Sequence, residues 1–139
     1  MIAARPDTAR EEADIIRRDQ GQGASIWVVN HEIVTYLLLE FPIPTQFVSP
    51  HFLTGPFGAV TRIDTDAEVK RILLARPRYL AVDPTQWKRT TATMIHIVRQ
   101  EIRDHYALLA ARSAAGFPLE ICKLRPENDP PTNTSPAKC

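Results

Sequence analysis

The sequence predicts an α/β protein, a small three-layer sandwich built on a mostly parallel sheet. Three observations lead there. Short unbroken apolar runs rich in β-branched and aromatic residues, IWVV at 26–29 and YLAV at 79–82, have the composition of strands covered on both faces. Segments with apolar residues at helical spacing alternate with them. Prolines and glycines mark the joins. Such alternation implies parallel strands with right-handed crossovers, and the expected strand order is flavodoxin-like, 2-1-3-4.

Each element has its own grounds. Asp7 suits a helix N-cap, Glu11 and Glu12 suit a first turn, and Ala9, Ala13, Ile15 and Ile16 form an apolar stripe, so a helix is expected over about 7–20. Arg17, Arg18 and Asp19 then form its solvated face, and Gly21 and Gly23 stop it. After the strand at 26–29, Asn30 caps a helix carrying Ile33, Val34, Leu37, Leu38 and Phe41, which Pro42 ends. TQFVSP at 45–50 is a short second strand, and HFLTGPFG a loop. Asp64 or Thr65 caps a helix through Ala75 with Val69, Ile72 and Leu73 inward, closed by Pro77. RYLAVDP at 78–84 is the third strand, followed by a loop through Trp87 and Lys88. Thr90 to about Asp104 is the longest helical pattern, with Met94, Ile95, Ile97, Val98 and Ile102 apolar.

YALLAAR and FPLEICKLR flank Ser113–Gly116 and suit a closing antiparallel hairpin. Ala and Leu also favour helix, so YALLAAR equally suits a continuation of the preceding helix; the strand, near 106–112, is preferred. Pro118 belongs near a strand start or on an edge. Residues 1–126 therefore form one domain. Residues 127–139, ENDPPTNTSPAKC, form a proline-rich tail too polar to order itself.

The totals exclude several functions. The chain has 139 residues, 44% hydrophobic and 24% charged, ordinary for one globular domain. A net charge of +1 and 7% aromatic residues argue against a nucleic-acid partner. No apolar run reaches the roughly 20 residues that span a bilayer, and MIAARPDTAREEAD is not a signal peptide. Cys122 reads as a buried thiol and Cys139 as a free one; the alternative, a disulfide between them, would only tether the tail, and two cysteines do not fix the compartment.

In open α/β sheets ligands bind beyond the carboxyl ends of the strands. The corners there offer Asn30, His31 and Glu32, then Ser49, Pro50 and His51, then Asp83, Thr85 and Gln86. Asn30, His31, His51 and Asp83 are the ligand-binding candidates, for a sugar, phosphate or peptide. The competing interpretation makes Asn30 a helix cap, Asp83 a turn or cap residue and both histidines surface side chains. No catalytic set is evident. The four histidines lack metal-ligand spacing, so no metal is expected. Ser49 lacks a nucleophile-elbow context and no glycine-rich phosphate loop follows the first strand, so no cofactor is expected. Arg76 and Arg78 flank Pro77 ahead of a strand. They suit a solvated pair, partners for acids of the first helix, or contacts to a lipid headgroup.

IWVVNHEIVTYLLLEFPIPTQFVSPHFL resembles the C-terminal soluble domain of polytopic membrane glycosyltransferases of the dolichyl-phosphate-mannose protein mannosyltransferase and lipid A aminoarabinose transferase type. The matching residues are Ile26, Trp27, Val28, Tyr36, Leu37, Leu38, Pro42, Pro44, Thr45, Gln46, Phe47, Pro50 and His51. EVKRILLARPRYLAVDP and the closing KLRP are similar to later parts of that domain, so the likeness covers roughly residues 8–125. The resemblance implies an accessory domain on the periplasmic or extracytoplasmic face, packed over a membrane glycosyltransferase core or the membrane surface. It would support acceptor access or assembly. In that family the catalytic acids lie in the membrane part, so no catalytic residue carries over and the chain alone is expected to be inert. The alternatives are a small stand-alone enzyme or ligand-binding protein using the strand-end pocket, and a protein-interaction module; with no signal peptide or spanning segment evident, cytoplasmic is the alternative location.

Overall fold

A computed structural model describes residues 8–19, 25–30, 39, 44, 53–54, 64–114 and 117–126. In order they form α1 (Thr8–Asp19), β1 (Ile26–Val28), α2 (Thr65–Leu74), β2 (Tyr79–Val82), a 3-10 helix (Pro84–Arg89), α3 (Ala92–His105), β3 (Tyr106–Ala114) and β4 (Phe117–Leu124). Leu39 is also helical and buried. The class is α/β, as expected. The expected strand at 45–50, most of the helix after Asn30 and the tail at 127–139 lie outside the described residues.

The sheet is covered on both sides. Side chains alternate along β1 and β2, so Ile26, Val28, Tyr79 and Ala81 meet one core while Trp27, Val29, Leu80 and Val82 meet another. The first core is closed by Ala13 and Ile16 of α1, with Leu39, Leu119 and Ile121. The second holds Val69, Ile72 and Leu73 of α2, Met94, Val98 and Ile102 of α3, and Trp87, Tyr106 and Cys122. Double coverage is why these strands are apolar without interruption.

Local signals set the helix starts. Asp64 caps α2, its carboxylate accepting the Ala67 amide at 3.0 Å. Thr91 caps α3, accepting from Met94 at 3.3 Å. Asp83 caps the 3-10 helix, with Pro84 at its first position and the Thr85 amide donating to the carboxylate at 2.9 Å. The expected loop is thus an ordered turn that buries Trp87, over whose ring Arg99 sits at 5.8 Å.

The strand order is a correction. The four strands run β1-β2-β4-β3, with β1–β2 parallel but β2–β4 and β4–β3 antiparallel. The order is not flavodoxin-like, and the described sheet is not mostly parallel. The side chains explain the swap. Leu119, Ile121 and Cys122 of β4 are buried at 2% exposure or less, as befits a central strand, whereas Leu108 of β3 is 42% exposed and takes an outer position. The hairpin itself was expected. Pro118 pairs with Ser113 of β3 but lies beyond β2, whose last partner is Glu120, so its missing N–H interrupts no ladder to β2. Leu109, at a bulge between Leu108 and Ala110, packs on the α1 side.

Two further expectations change. Cys122 is buried and disulfide-bonded, not a free thiol; the sequence's other cysteine, Cys139, lies outside the described residues. Asp19 is no simple solvent-facing residue: it accepts a hydrogen bond from the Tyr79 hydroxyl at 2.5 Å and an ion pair from Lys123 at 2.8 Å.

Candidate functional site

The candidate corner lies where β1 and β2 end. Their parallel ladder runs from the Tyr79 amide donating to the Ser25 carbonyl up to the Val29 amide donating to the Ala81 carbonyl. The next rung of a regular parallel ladder would carry the Asp83 amide to the Val29 carbonyl. It is replaced by side chains. The Asp83 amide donates to Asn30 Oδ1 at 2.8 Å, and Asn30 Nδ2 donates back to the Asp83 carbonyl at 2.9 Å. The Val29 carbonyl instead accepts the Thr54 hydroxyl at 2.5 Å, and the Thr54 carbonyl accepts the Thr90 hydroxyl at 2.6 Å. The strands part here, and the backbone groups they release are satisfied by Asn30 and Thr54, 7% and 1% exposed.

Of the four candidates, the structure brings together Asn30 and Asp83. Asn30 behaves as a surrogate peptide linking β1 to β2. One carboxylate oxygen of Asp83, Oδ1, accepts from both the amide and the hydroxyl of Thr85, the hydroxyl at 2.6 Å. His31 and His51 lie outside the described residues. Among the described residues, the side chains of Asn30, Thr54 and Thr90 are engaged in holding a fold junction, and no nucleophile–base pair occurs between Asn30 and Asp83.

Sequence reasoning missed three features. Glu120 is buried on β4 opposite Val82, close to this corner, and the 3-10 helix packs against its strand. The signal was present in FPLEICKL, where alternation puts Glu120 on the same face as buried Cys122. Glu12 is fully buried on α1. Its helical spacing beside Ala13 and Ile16 would have placed it inward, had a charged residue been weighed as a core position. The third is the Asp19–Tyr79–Lys123 cluster at the other end of the sheet. There the hydrogen bonds from Lys123 and then Tyr79 hold the Asp19 carboxyl below the usual carboxylate range. Burial first, and the bond to Asp19 second, push the Tyr79 hydroxyl up to about 12.

Among the described residues no three His, Cys, Asp or Glu side chains form a metal-binding group, and no helix is long and apolar enough to cross a membrane. Comparison with protein-family models, with curated proteins and with solved structures returned no match.

Proposed function

We propose that this chain is an accessory α/β domain of a membrane glycosyltransferase that uses a lipid-linked sugar, and that it performs no transfer by itself. The observation that carries this reading is the reciprocal bonding of Asn30 and Asp83. Asn30 spends both polar atoms of its side chain on the backbone of Asp83, tying β1 to β2, while the Asp83 carboxylate holds Thr85 through Oδ1. The segments that resemble the soluble domain of such transferases, around Ile26–Val28 and through LARPRYLAVDP, include the residues that form this junction. The disulfide of Cys122 suits an oxidising compartment, in keeping with the periplasmic or extracytoplasmic side. In this role the domain shapes access for the acceptor or helps assemble the membrane core.

Cross-linking in membranes of the source cells, read by mass spectrometry, tests the assignment. The expected result is a set of cross-links from the chain's lysines to a polytopic glycosyltransferase, or to membrane-spanning segments of the same polypeptide. Efficient cross-linking that recovers neither overturns it.

A further inference from the structure

We infer that the end of the molecule where α1, α2 and α3 finish docks on a membrane surface carrying anionic headgroups, with Leu74 entering the interface beside Arg76 and Arg78. Contacts across the fold bring these helix ends together. Asp19 at the end of α1 meets Tyr79 at the start of β2 and Lys123 on β4. The Leu124 amide donates to the Arg78 carbonyl, and the Arg125 amide to the His105 carbonyl at the end of α3, both at 2.8 Å. Arg17, Arg18, Arg76, Arg78 and Arg103 are all exposed at this end. Of the carboxylates nearby, Asp14 pairs with Arg17 and Asp19 with Lys123, while Asp104 accepts from neutral Gln100 and keeps its charge, so the five arginines still outnumber the acids at this end. Glu101 lies near His105, at 3.9 Å.

Basic residues at helix C-termini offset the macrodipole, which accounts for Arg17, Arg18 and Arg103. It does not account for two other features. Leu74 is 80% exposed, the most exposed large apolar side chain among the described residues. Arg76 has φ 51, a left-handed conformation at the position after the helix cap that glycine ordinarily fills. The strained segment is held rigidly. The Arg76 amide donates to the Leu73 carbonyl, the Tyr106 hydroxyl to the Pro77 carbonyl at 2.5 Å, and the Arg78 amide to the Ser25 hydroxyl at 3.1 Å. A fixed loop that keeps an arginine where glycine costs less, next to an exposed leucine and a second arginine, matches an interfacial anchor. Such anchors combine an apolar group that enters the acyl boundary with cations that meet phosphates. Charge complementarity and the exposed leucine together select a lipid surface over an acidic protein. The inference does not need kinship with a glycosyltransferase, because it is read with lipid alone.

The test is flotation of the full chain with vesicles of phosphatidylcholine, and of phosphatidylcholine with one quarter phosphatidylglycerol. The expected result is binding to the second only, weakening as salt rises. Arg76→Gln and Arg78→Gln each lower partitioning about fivefold, and the pair about 25-fold. Leu74→Gln lowers it several-fold at every salt concentration, while Lys88→Gln, beyond the opposite end of β2, leaves it unchanged. All four positions are exposed, so unchanged circular dichroism is the folding control. Equal binding to both vesicle types, absence of binding to either, or full binding by the double arginine variant overturns the inference. So does capture on polyglutamate that Leu74→Gln leaves intact, which would assign this end to an acidic protein.

Discussion

Replacing Asn30 by Ala should unfold the junction from which β1 and β2 diverge. The side chain makes two hydrogen bonds to the backbone of Asp83, at 2.8 and 2.9 Å, from a position 7% exposed. Truncation removes both bonds, each with a net value of about 1 kcal/mol, and strands a part-buried N–H and C=O, so the total loss is about 2–4 kcal/mol. A domain of this size has on the order of 10 kcal/mol in all, and the change would be plain in a urea melt followed by circular dichroism. Asn30→Asp gives a second reading. It keeps the acceptor for the Asp83 amide but sets a carboxylate oxygen against the Asp83 carbonyl. That repulsion raises the folded-state pKa of the introduced carboxyl. Stability is then retained at low pH, where the group is protonated and donates, and is lost as pH rises through the carboxylate range. If Asn30→Ala falls within about 0.5 kcal/mol of the parent, the typical effect of a surface substitution, the surrogate-peptide role of Asn30 is wrong.

Three other outcomes follow from the same contacts. Arg76→Gly relieves the left-handed strain at φ 51 and should raise stability by about 1 kcal/mol in urea unfolding; a loss would show that the arginine is held there by contacts of greater worth. Asp19 has a depressed pKa, so its share of stability is present above the ordinary carboxylate value and disappears as pH falls below it; Tyr79, raised to about 12, contributes below its ordinary value near 10 and loses that share as pH climbs toward 12. In urea midpoints taken across pH, Asp19→Asn should therefore remove the acid limb due to this pair and shrink the alkaline limb, which burial of Tyr79 keeps in part; unchanged limbs refute the coupling. Trp27→Ala, at a site 1% exposed between β1 and the α2–α3 layer, should cost about 3–5 kcal/mol in the same melt, and a cost under 1 kcal/mol would contradict the covering of β1 on that side.

Much of the fold was legible because its signals are local. IWVV and YLAV lack a polar face because α1 covers one side of each strand and α2 and α3 the other. Asp64 and Pro77 bracket α2, and the Met94, Val98 and Ile102 spacing marks the buried side of α3. The strand order was not legible, since it depends on which half of the hairpin fits the centre of the sheet. That is a contest between the fully buried Ile121 and Cys122 and the half-exposed side chains of β3, settled by packing over long sequence separations. The corner at Asn30 and Asp83 was found, and Asp83 as a capping residue with it, but the bonding of Asn30 to the neighbouring strand was not. Whether an asparagine caps a helix or replaces a ladder rung depends on where two strands part, and Thr54 and Thr90, which complete the junction, come from distant segments. Asp19 read as a solvated residue for the same reason: its partners Tyr79 and Lys123 lie more than fifty residues away in the chain.

The central claim is that the strand-end corner is a structural junction in a domain that supports catalysis elsewhere. It is tested most directly by incubating the purified chain with a polyprenyl-phosphate-linked sugar and with sugar nucleotides, and following release or transfer of the sugar. The account predicts no turnover above buffer, for the parent chain and for Asp83→Asn alike. Saturable turnover that Asp83→Asn abolishes in a folded protein would contradict it.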